Sequence, residues 1–228
     1  MALYPSLMPS AARPRLAGSL PVAELSSALA DAGRSFYARG WVLGTSGNFS
    51  AVLQRDPMRL LITASGLDKG ALTAEQFLEI DGGCKVVGGN GKPSAEALLH
   101  TVVVRLRGAG AVLHTHSVWS TLLSDVHAAK DGLDISGYEM LKGLEGIRTH
   151  EHHEWLPIVE NSQDMPALAA AVESALRSHP ECHGFLLRAH GLYTWGDDVA
   201  QARRHVEILE FLLEVVGRRE ARQAEAGR

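Results

Sequence analysis

The run Ala111-Val112-Leu113-His114-Thr115-His116-Ser117 decides the predicted fold, because it is a short apolar stretch that ends in two histidines one residue apart. Valine, leucine and threonine favour a pleated strand, on which side chains alternate between two faces. We therefore expect the imidazoles of His114 and His116 to point the same way and to hold one metal ion. Catalytic zinc sites usually take three protein ligands and leave one position open. The alternative is a core histidine beside a solvent-facing one.

The best candidate for a third ligand is His190. It follows the strand-like run of residues 184–189 and precedes Gly191, which lets the backbone turn sharply. A turn histidine bonded to the backbone is the alternative. The cluster His150-Glu151-His152-His153-Glu154 is not a zincin motif, since position 154 is glutamate where that motif needs histidine, and it predicts a solvated loop. The remaining internal histidines are predicted to be surface or packing residues: His100, His127, His179, His183 and His205.

Length and composition predict one globular domain. The chain has 228 residues, of which 46% are hydrophobic, and we assign residues 21–219 to the domain, 1–20 to a flexible N-terminus and 220–228 to a polar tail. The net charge of −4, without a basic cluster, argues against a nucleic-acid partner. The first 20 residues lack the continuous apolar core of a signal peptide or a membrane span. Two cysteines, Cys84 and Cys182, predict a reduced, cytoplasmic setting.

The predicted elements define the fold class. Apolar periodicity and turn residues predict helices at 21–39, 94–106, 117–123, 138–144, 165–177 and 197–219. Strands are predicted at 48–53, 59–63, 77–80, 85–87, 111–116, 155–159, 183–189 and 192–195. This order predicts an α/β fold of three layers, α/β/α, with a mostly antiparallel central sheet.

Three hydroxylic or glycine-bearing segments are candidates for binding a phosphate. They are Gly44-Thr45-Ser46-Gly47-Asn48, Thr63-Ala64-Ser65-Gly66, and Ser94 at a helix start. Exposed backbone N–H groups and hydroxyls in such turns suit an anion, although hairpin turns and a helix cap explain them equally well. The candidate substrate-binding residues are Ser46, Gly47, Asn48, Ser65, Gly66 and Ser94.

Two carboxylates are candidates for acid–base catalysis. Glu139 lies in Gly137-Tyr138-Glu139-Met140-Leu141-Lys142, and an exposed pair with Lys142 is its alternative explanation. Glu96 follows Ser94 in the first turn of a predicted helix, where a favourable helix-dipole contact explains it as well.

Taken in order, these motifs resemble the class II aldolase/adducin family. The two loops, Lys92-Pro93-Ser94-Ala95-Glu96, the His114–His116 pair and His190-Gly191 follow the family's order, and the resemblance covers residues 24–216. Three further runs, at 137–143, 156–162 and 188–196, are more similar to the family's dehydratases than to its aldolases.

The resemblance implies a metalloenzyme that eliminates water from a small sugar-phosphate substrate. It implies one Zn²⁺ per subunit held by His114, His116 and His190, and phosphate held by the loops. Glu139 matches the dehydratase acid/base, and Glu96 falls where the aldolases carry their catalytic glutamate. A homotetramer with active sites near subunit contacts is implied as well. Two alternatives stay open: a metal-dependent sugar-phosphate aldolase or epimerase, and a non-catalytic interaction domain like the adducin head.

Overall fold

A computed structural model describes residues 21–227; the predicted flexible segment 1–20 lies outside that range. The strands are β1 (Asn48–Arg55), β2 (Met58–Thr63), β3 (Phe77–Asp81), β4 (Val86–Gly88), β5 (Ala111–Thr115), β6 (Gly132–Ile135), β7 (Glu154–Val159), β8 (Gly184–Leu187) and β9 (Gly191–Gly196). The α-helices are α1 (Val22–Ala38), α2 (Ala97–Arg107), α3 (Val118–Val126), α4 (Met165–Ser178) and α5 (Val199–Ala226).

The strands form one nine-stranded sheet in the order β4-β3-β2-β1-β5-β9-β8-β7-β6. Every neighbouring pair is antiparallel except β7 and β8, which run parallel, so the sheet is mixed but mostly antiparallel. Strand β5 lies in the middle, between β1 and β9, and pairs His114 with Asn48 on one side and with Tyr193 on the other. The predicted metal-binding strand is therefore the centre of the sheet.

Helices cover both faces of the sheet, which confirms the predicted three layers. Helices α2 and α4 pack on one face, against a core that includes Val112 of β5 and Phe185 of β8. Helices α1, α3 and α5 contribute to the cores on the other face, where Leu113 of β5 and Leu186 of β8 lie. Neighbouring residues of one strand enter opposite cores, as the alternation of a strand buried on both faces requires. No helix within residues 21–227 combines the length and apolar character needed to cross a membrane.

Strand β6 is absent from the elements predicted from sequence. It has four residues, of which only Leu133 and Ile135 are apolar, and it pairs with β7 at the sheet edge. A two-residue alternation is too short to distinguish from a loop, so this strand depends on its tertiary partner.

Three predicted helix assignments need correction. Helix α5 continues to Ala226, so most of the predicted polar tail 220–228 belongs to this helix; Ala, Glu, Arg and Gln are strong helix formers. The helix predicted from residue 94 begins at Ala97, because the Ser94 hydroxyl accepts a hydrogen bond from the Glu96 backbone and turns the chain first. Residues Glu139–Gly143 form a 3-10 helix inside the predicted helix 138–144.

Candidate active site

Three histidines meet at the centre of the sheet. His114 is the last but one residue of β5, His116 directly follows the strand, and His190 lies in the tight turn between β8 and β9. The Nε2 atom of His190 lies 3.3 Å from Nε2 of His114 and 3.1 Å from Nε2 of His116. Two ligands at the usual Zn–N distance of 2.0–2.1 Å, at a tetrahedral angle, lie about 3.3 Å apart. The three imidazoles therefore match the ligand spacing of a tetrahedral metal site.

The protonation of His114 and His116 also suits metal binding. The Nδ1–H of His114 donates to the Leu192 carbonyl at 2.9 Å, which leaves its Nε2 lone pair facing the other two rings. Burial lowers the pKa of His114 well below its ordinary value; burial and the neighbouring His190 lower the pKa of His116 to about 4. Neutral imidazole is the form that binds a metal.

Two glycines allow the backbones around the cluster to approach closely. A Cβ at Gly191 would lie 2.0 Å from the Thr115 carbonyl oxygen, and one at Gly47 would lie 2.7 Å from the His114 carbonyl oxygen. Gly47 also has a φ of +75°, a backbone angle that residues with a side chain rarely adopt. Ala189, just before His190, has a φ of +51°, so the turn that presents His190 is strained.

Glu96 lies against the histidine cluster, at the start of α2. Its Oε1 is 3.1 Å from His190 Nε2, and its Oε2 is 3.9 Å from His114 Nε2. Burial raises the pKa of Glu96, but its contacts outweigh burial, with the hydrogen bonds from His190 and Asn48 among them, and hold the pKa well below its usual range. Glu96 is therefore a carboxylate, placed to act as a fourth metal ligand or as a base.

A chain of buried hydrogen bonds holds Glu96 in this position. The Asn48 side-chain amide donates to Glu96 Oε2 at 2.6 Å. The Nε2–H of His100 donates to the other end of the Asn48 amide at 2.5 Å, and Ser50 Oγ donates to His100 Nδ1 at 2.7 Å. Burial lowers the pKa of His100 to about 4, so its ring is neutral and can make both bonds. His100, predicted as a packing or surface residue, is fully buried and fixes the orientation of Asn48.

The predicted phosphate segments line one pocket beside the histidines. It has a volume of about 190 Å³. All six candidate substrate-binding residues line it together with Glu96 and His116: Ser46, Gly47, Asn48, Ser65, Gly66 and Ser94. Residues that lie far apart in the sequence, from Thr45 to His116, thus form a single polar pocket beside the histidine cluster.

Lys69 is a pocket residue that the sequence reasoning missed. Its side chain is buried, and its Nζ donates to the carbonyls of Thr45 at 3.1 Å and Leu67 at 2.8 Å, so it ties the two loops together. Burial lowers the pKa of Lys69 to about 8, against a smaller opposing effect of Asp68. Its position three residues after Gly66 is the only sequence signal, and that spacing is ordinary in a surface loop.

Glu139 does not join this group within one chain. Its side chain is 73% exposed and lies 2.7 Å from Lys142 Nζ and 3.8 Å from His150 Nδ1. It is not among the residues that line the pocket of Glu96 and His116. The hydrogen bond and charge of Lys142 lower the pKa of Glu139, so it is a carboxylate at neutral pH. In a single chain Glu139 forms the exposed ion pair with Lys142, which the sequence offers as the alternative to a catalytic role.

Comparison with known proteins places the chain in a family. The profile of the Class II Aldolase and Adducin N-terminal domain matches residues 27–216. The methylthioribulose-1-phosphate dehydratase of Marinobacter nauticus is 44% identical over 193 residues, which are 84% of this chain and 92% of that protein. The enzyme of the same name from Yersinia enterocolitica is 48% identical over 177 residues, 77% of this chain and 83% of that protein.

Solved structures agree with the sequence comparison. YgbL of Klebsiella pneumoniae, described as a putative aldolase/epimerase/decarboxylase, has a TM-score of 0.73 and 25% identity, and the match covers 87% of this chain and 90% of that one. The L-fuculose-1-phosphate aldolase of Thermus thermophilus has a TM-score of 0.70 and 26% identity, covering 90% and 99%. The chain belongs to the class II aldolase and adducin family.

Proposed function

We propose that this chain dehydrates 5-methylthio-ribulose 1-phosphate to 2,3-diketo-5-methylthiopentyl 1-phosphate, as a hydro-lyase of methionine salvage. The observation that carries the proposal is the pocket that joins hydroxylic loops to Glu96 and His116. The proposal is supported by relatives that are named for this reaction and that match this chain over most of their length. The two free thiols, Cys84 and Cys182, support a reducing, cytoplasmic location.

His114, His116 and His190 would hold a divalent metal, for which we propose zinc. The support is the spacing of their Nε2 atoms and the neutral state of His114 and His116. When bound, such an ion supplies Lewis acidity toward the carbonyl and hydroxyl oxygens of a ketose, which makes the proton between them more acidic.

The loops of the pocket would bind the substrate phosphate. Ser46, Ser65 and Ser94 offer hydroxyls, and the turns at Gly47 and Gly66 offer backbone N–H groups. Lys69 adds a positive charge beside these neutral donors. A phosphate fixed there would orient the sugar carbons toward Glu96 and the histidines.

Glu139 would carry the proton transfers. As base its carboxylate takes the C3 proton, and the C4 hydroxyl leaves with a proton from Glu139 or from a water that Glu139 positions. One water is lost, and the resulting enol ketonises to the 2,3-diketone. Asn48, held by His100, would keep Glu96 directed at the reacting centre.

Glu139 would reach an active-site pocket only if it enters the pocket of a second copy of the chain. Its exposure and its absence from the pocket of its own chain support an active site completed by a neighbouring subunit. Helix α3 offers an apolar surface for such an assembly, since Val118, Leu122 and Val126 form an exposed stripe one helical turn apart. We propose the homotetramer that the family resemblance implies.

One observation favours a second candidate, a sugar-phosphate aldolase. Glu96 lies 3.1 Å from His190, where a base for C–C cleavage would be placed, and an L-fuculose-1-phosphate aldolase shares the fold. The non-catalytic alternative is disfavoured because all three candidate histidines are assembled.

A direct assay distinguishes these functions. Purified protein of measured metal content is incubated with 5-methylthio-ribulose 1-phosphate, and the product is followed by mass spectrometry. We expect the loss of one water, abolished by a chelator and restored by Zn²⁺. Full metal content without water loss, but with cleavage of L-fuculose 1-phosphate, would replace the dehydratase by the aldolase. Absence of both reactions and of metal would favour an interaction domain.

A further inference from the structure

A second cluster of ligating side chains lies away from the active site. His152, Glu154 and His183 each direct one ligating atom inward, and these atoms all lie within 4.8 Å of one another. Glu154 begins β7, His152 precedes it by two residues, and His183 directly precedes β8. Since β7 and β8 are the parallel pair of the sheet, the cluster sits where two adjacent strands begin side by side.

Hydrogen bonds orient His183 and Glu154 within this cluster. The Nε2–H of His183 donates to the Glu145 carbonyl at 2.9 Å, which turns its Nδ1 toward Glu154. The backbone N–H of His183 donates to Glu154 Oε1 at 2.8 Å, which leaves Oε2 as the inward atom. Nδ1 of His183 and Nε2 of His152 lie 2.9 Å and 3.0 Å from that Oε2. Such outer hydrogen bonds orient the ligands of metal sites in proteins.

The charge around the cluster favours a cation. The Glu154 side chain is 1% exposed, and its ion-pair partners among residues 21–227 are the two imidazoles, without a lysine or arginine. A cavity of about 560 Å³ adjoins the cluster and is lined by His152 and His183. The charged residues on its wall are three acids, Glu145, Glu181 and Asp197, and one arginine, Arg107. Glu145 pairs with Arg204 at 3.3 Å, so the wall keeps a small excess of negative charge, which attracts cations.

We propose that His152, Glu154 and His183 bind a second divalent transition-metal ion, with an open coordination position toward the adjoining cavity. Two imidazoles and one carboxylate are a recurring donor set of zinc, and imidazole nitrogen suits late first-row metals. The ion would bridge the start of β7 to the start of β8. The proposal is independent of the reaction catalysed at the first site.

Metal stoichiometry tests this proposal on the full chain. Metal-free protein is titrated with Co²⁺ while its visible absorption is followed, and Zn²⁺-loaded, desalted protein is analysed for metal per chain. We expect two ions per chain for the wild type and one for His152→Ala. The matched control is His153→Ala, whose side chain is 70% exposed and pairs with Asp134 outside the cluster; it should keep both ions.

The variants separate the two sites. His114→Ala should lose one ion and keep the one that His152→Ala loses. A wild type that binds a single ion, lost in His114→Ala and kept in His152→Ala, would overturn the proposal and leave the second cluster as a hydrogen-bonded ion pair. Circular dichroism checks folding; if His152→Ala is unfolded, His152→Asn replaces it, with the same loss of one ion expected.

Discussion

The two histidine clusters of this protein use similar residues but differ in what their nitrogens face. In the first, His190 Nε2 faces the Nε2 atoms of His114 and His116 and one oxygen of Glu96, and its Nδ1 has no hydrogen-bond partner within the described chain. In the second, the inward nitrogens of His152 and His183 face the Glu154 carboxylate, which accepts their hydrogen bonds. His190 Nε2 carries at most one hydrogen to share among His114, His116 and Glu96, so the first cluster leaves nitrogen lone pairs unpaired unless a cation enters.

This difference predicts which of the two clusters has the higher affinity for a metal ion. In the first cluster His114 and His116 are already neutral, and a metal there replaces a single contact with a carboxylate, between His190 and Glu96. In the second, a metal must replace hydrogen bonds to a buried carboxylate, and so it must compete with protons. We therefore expect a chelator to remove metal from the second cluster before the first.

The largest expected effect comes from breaking the first cluster. His116→Ala should lose metal there and lower kcat/KM by more than ~10³-fold, because several kcal/mol of charge stabilisation are removed. Metal analysis and steady-state kinetics measure this effect. Metal retained at wild-type content, or activity retained without metal, would contradict the ligand assignment.

Replacement of the proposed base should leave the first cluster intact. We expect Glu139→Gln to lower kcat by ~10²–10⁴-fold with unchanged metal content, as for loss of a general acid–base group. Glu151→Gln, at an exposed position in the nearby loop, serves as the control. Mixing Glu139→Gln with His116→Ala chains should regain activity if Glu139 acts in the pocket of a neighbouring copy. Full activity of Glu139→Gln alone would exclude its role.

The pocket lysine predicts a pH dependence. Because burial lowers the pKa of Lys69 to about 8, its positive charge is present below that pH and is lost as the pH rises through it. Phosphate binding should therefore weaken above about pH 8, seen as a rising KM. Lys69→Met should raise KM by ~10–100-fold at pH 7, the cost of a charged hydrogen bond, and remove this alkaline rise. A KM unchanged in Lys69→Met would exclude the lysine from phosphate binding.

The smallest effect should follow from removing a hydrogen bond of the chain that orients Glu96 through Asn48. His100→Ala leaves the Asn48 amide without its 2.5 Å partner, so we expect kcat to fall by about 10-fold while metal stays bound. His100→Gln retains a donor and an acceptor and should restore part of kcat. If His100→Ala lowers the thermal stability but leaves kcat unchanged, His100 has only a packing role.

The parts of the site that local pattern encodes were predictable from the sequence. Alternation on β5 places His114 and His116 on one face, and a strand end beside Gly191 marks His190. The three-layer fold agrees with the structure as well, and the candidate phosphate segments line one pocket there.

The other parts depend on contacts between distant residues. His100 reaches its role through Asn48, 52 residues away, and His183 meets Glu154 across 29 residues. Neither pairing leaves a periodic signal, so the sequence predicts only surface or packing roles for both histidines. Lys69 carries no motif, and its burial follows from two loops closing over it. The role proposed for Glu139 rests on a proposed assembly of copies of the chain, which local pattern does not encode.

Anomalous diffraction at the zinc absorption edge, from crystals of the purified protein, tests the central claim most directly. The account predicts a strong peak about 2.0–2.1 Å from the Nε2 atoms of His114, His116 and His190, with a weaker peak at His152, Glu154 and His183. Zinc-loaded crystals without a peak at the three histidines would contradict the assignment of the active site.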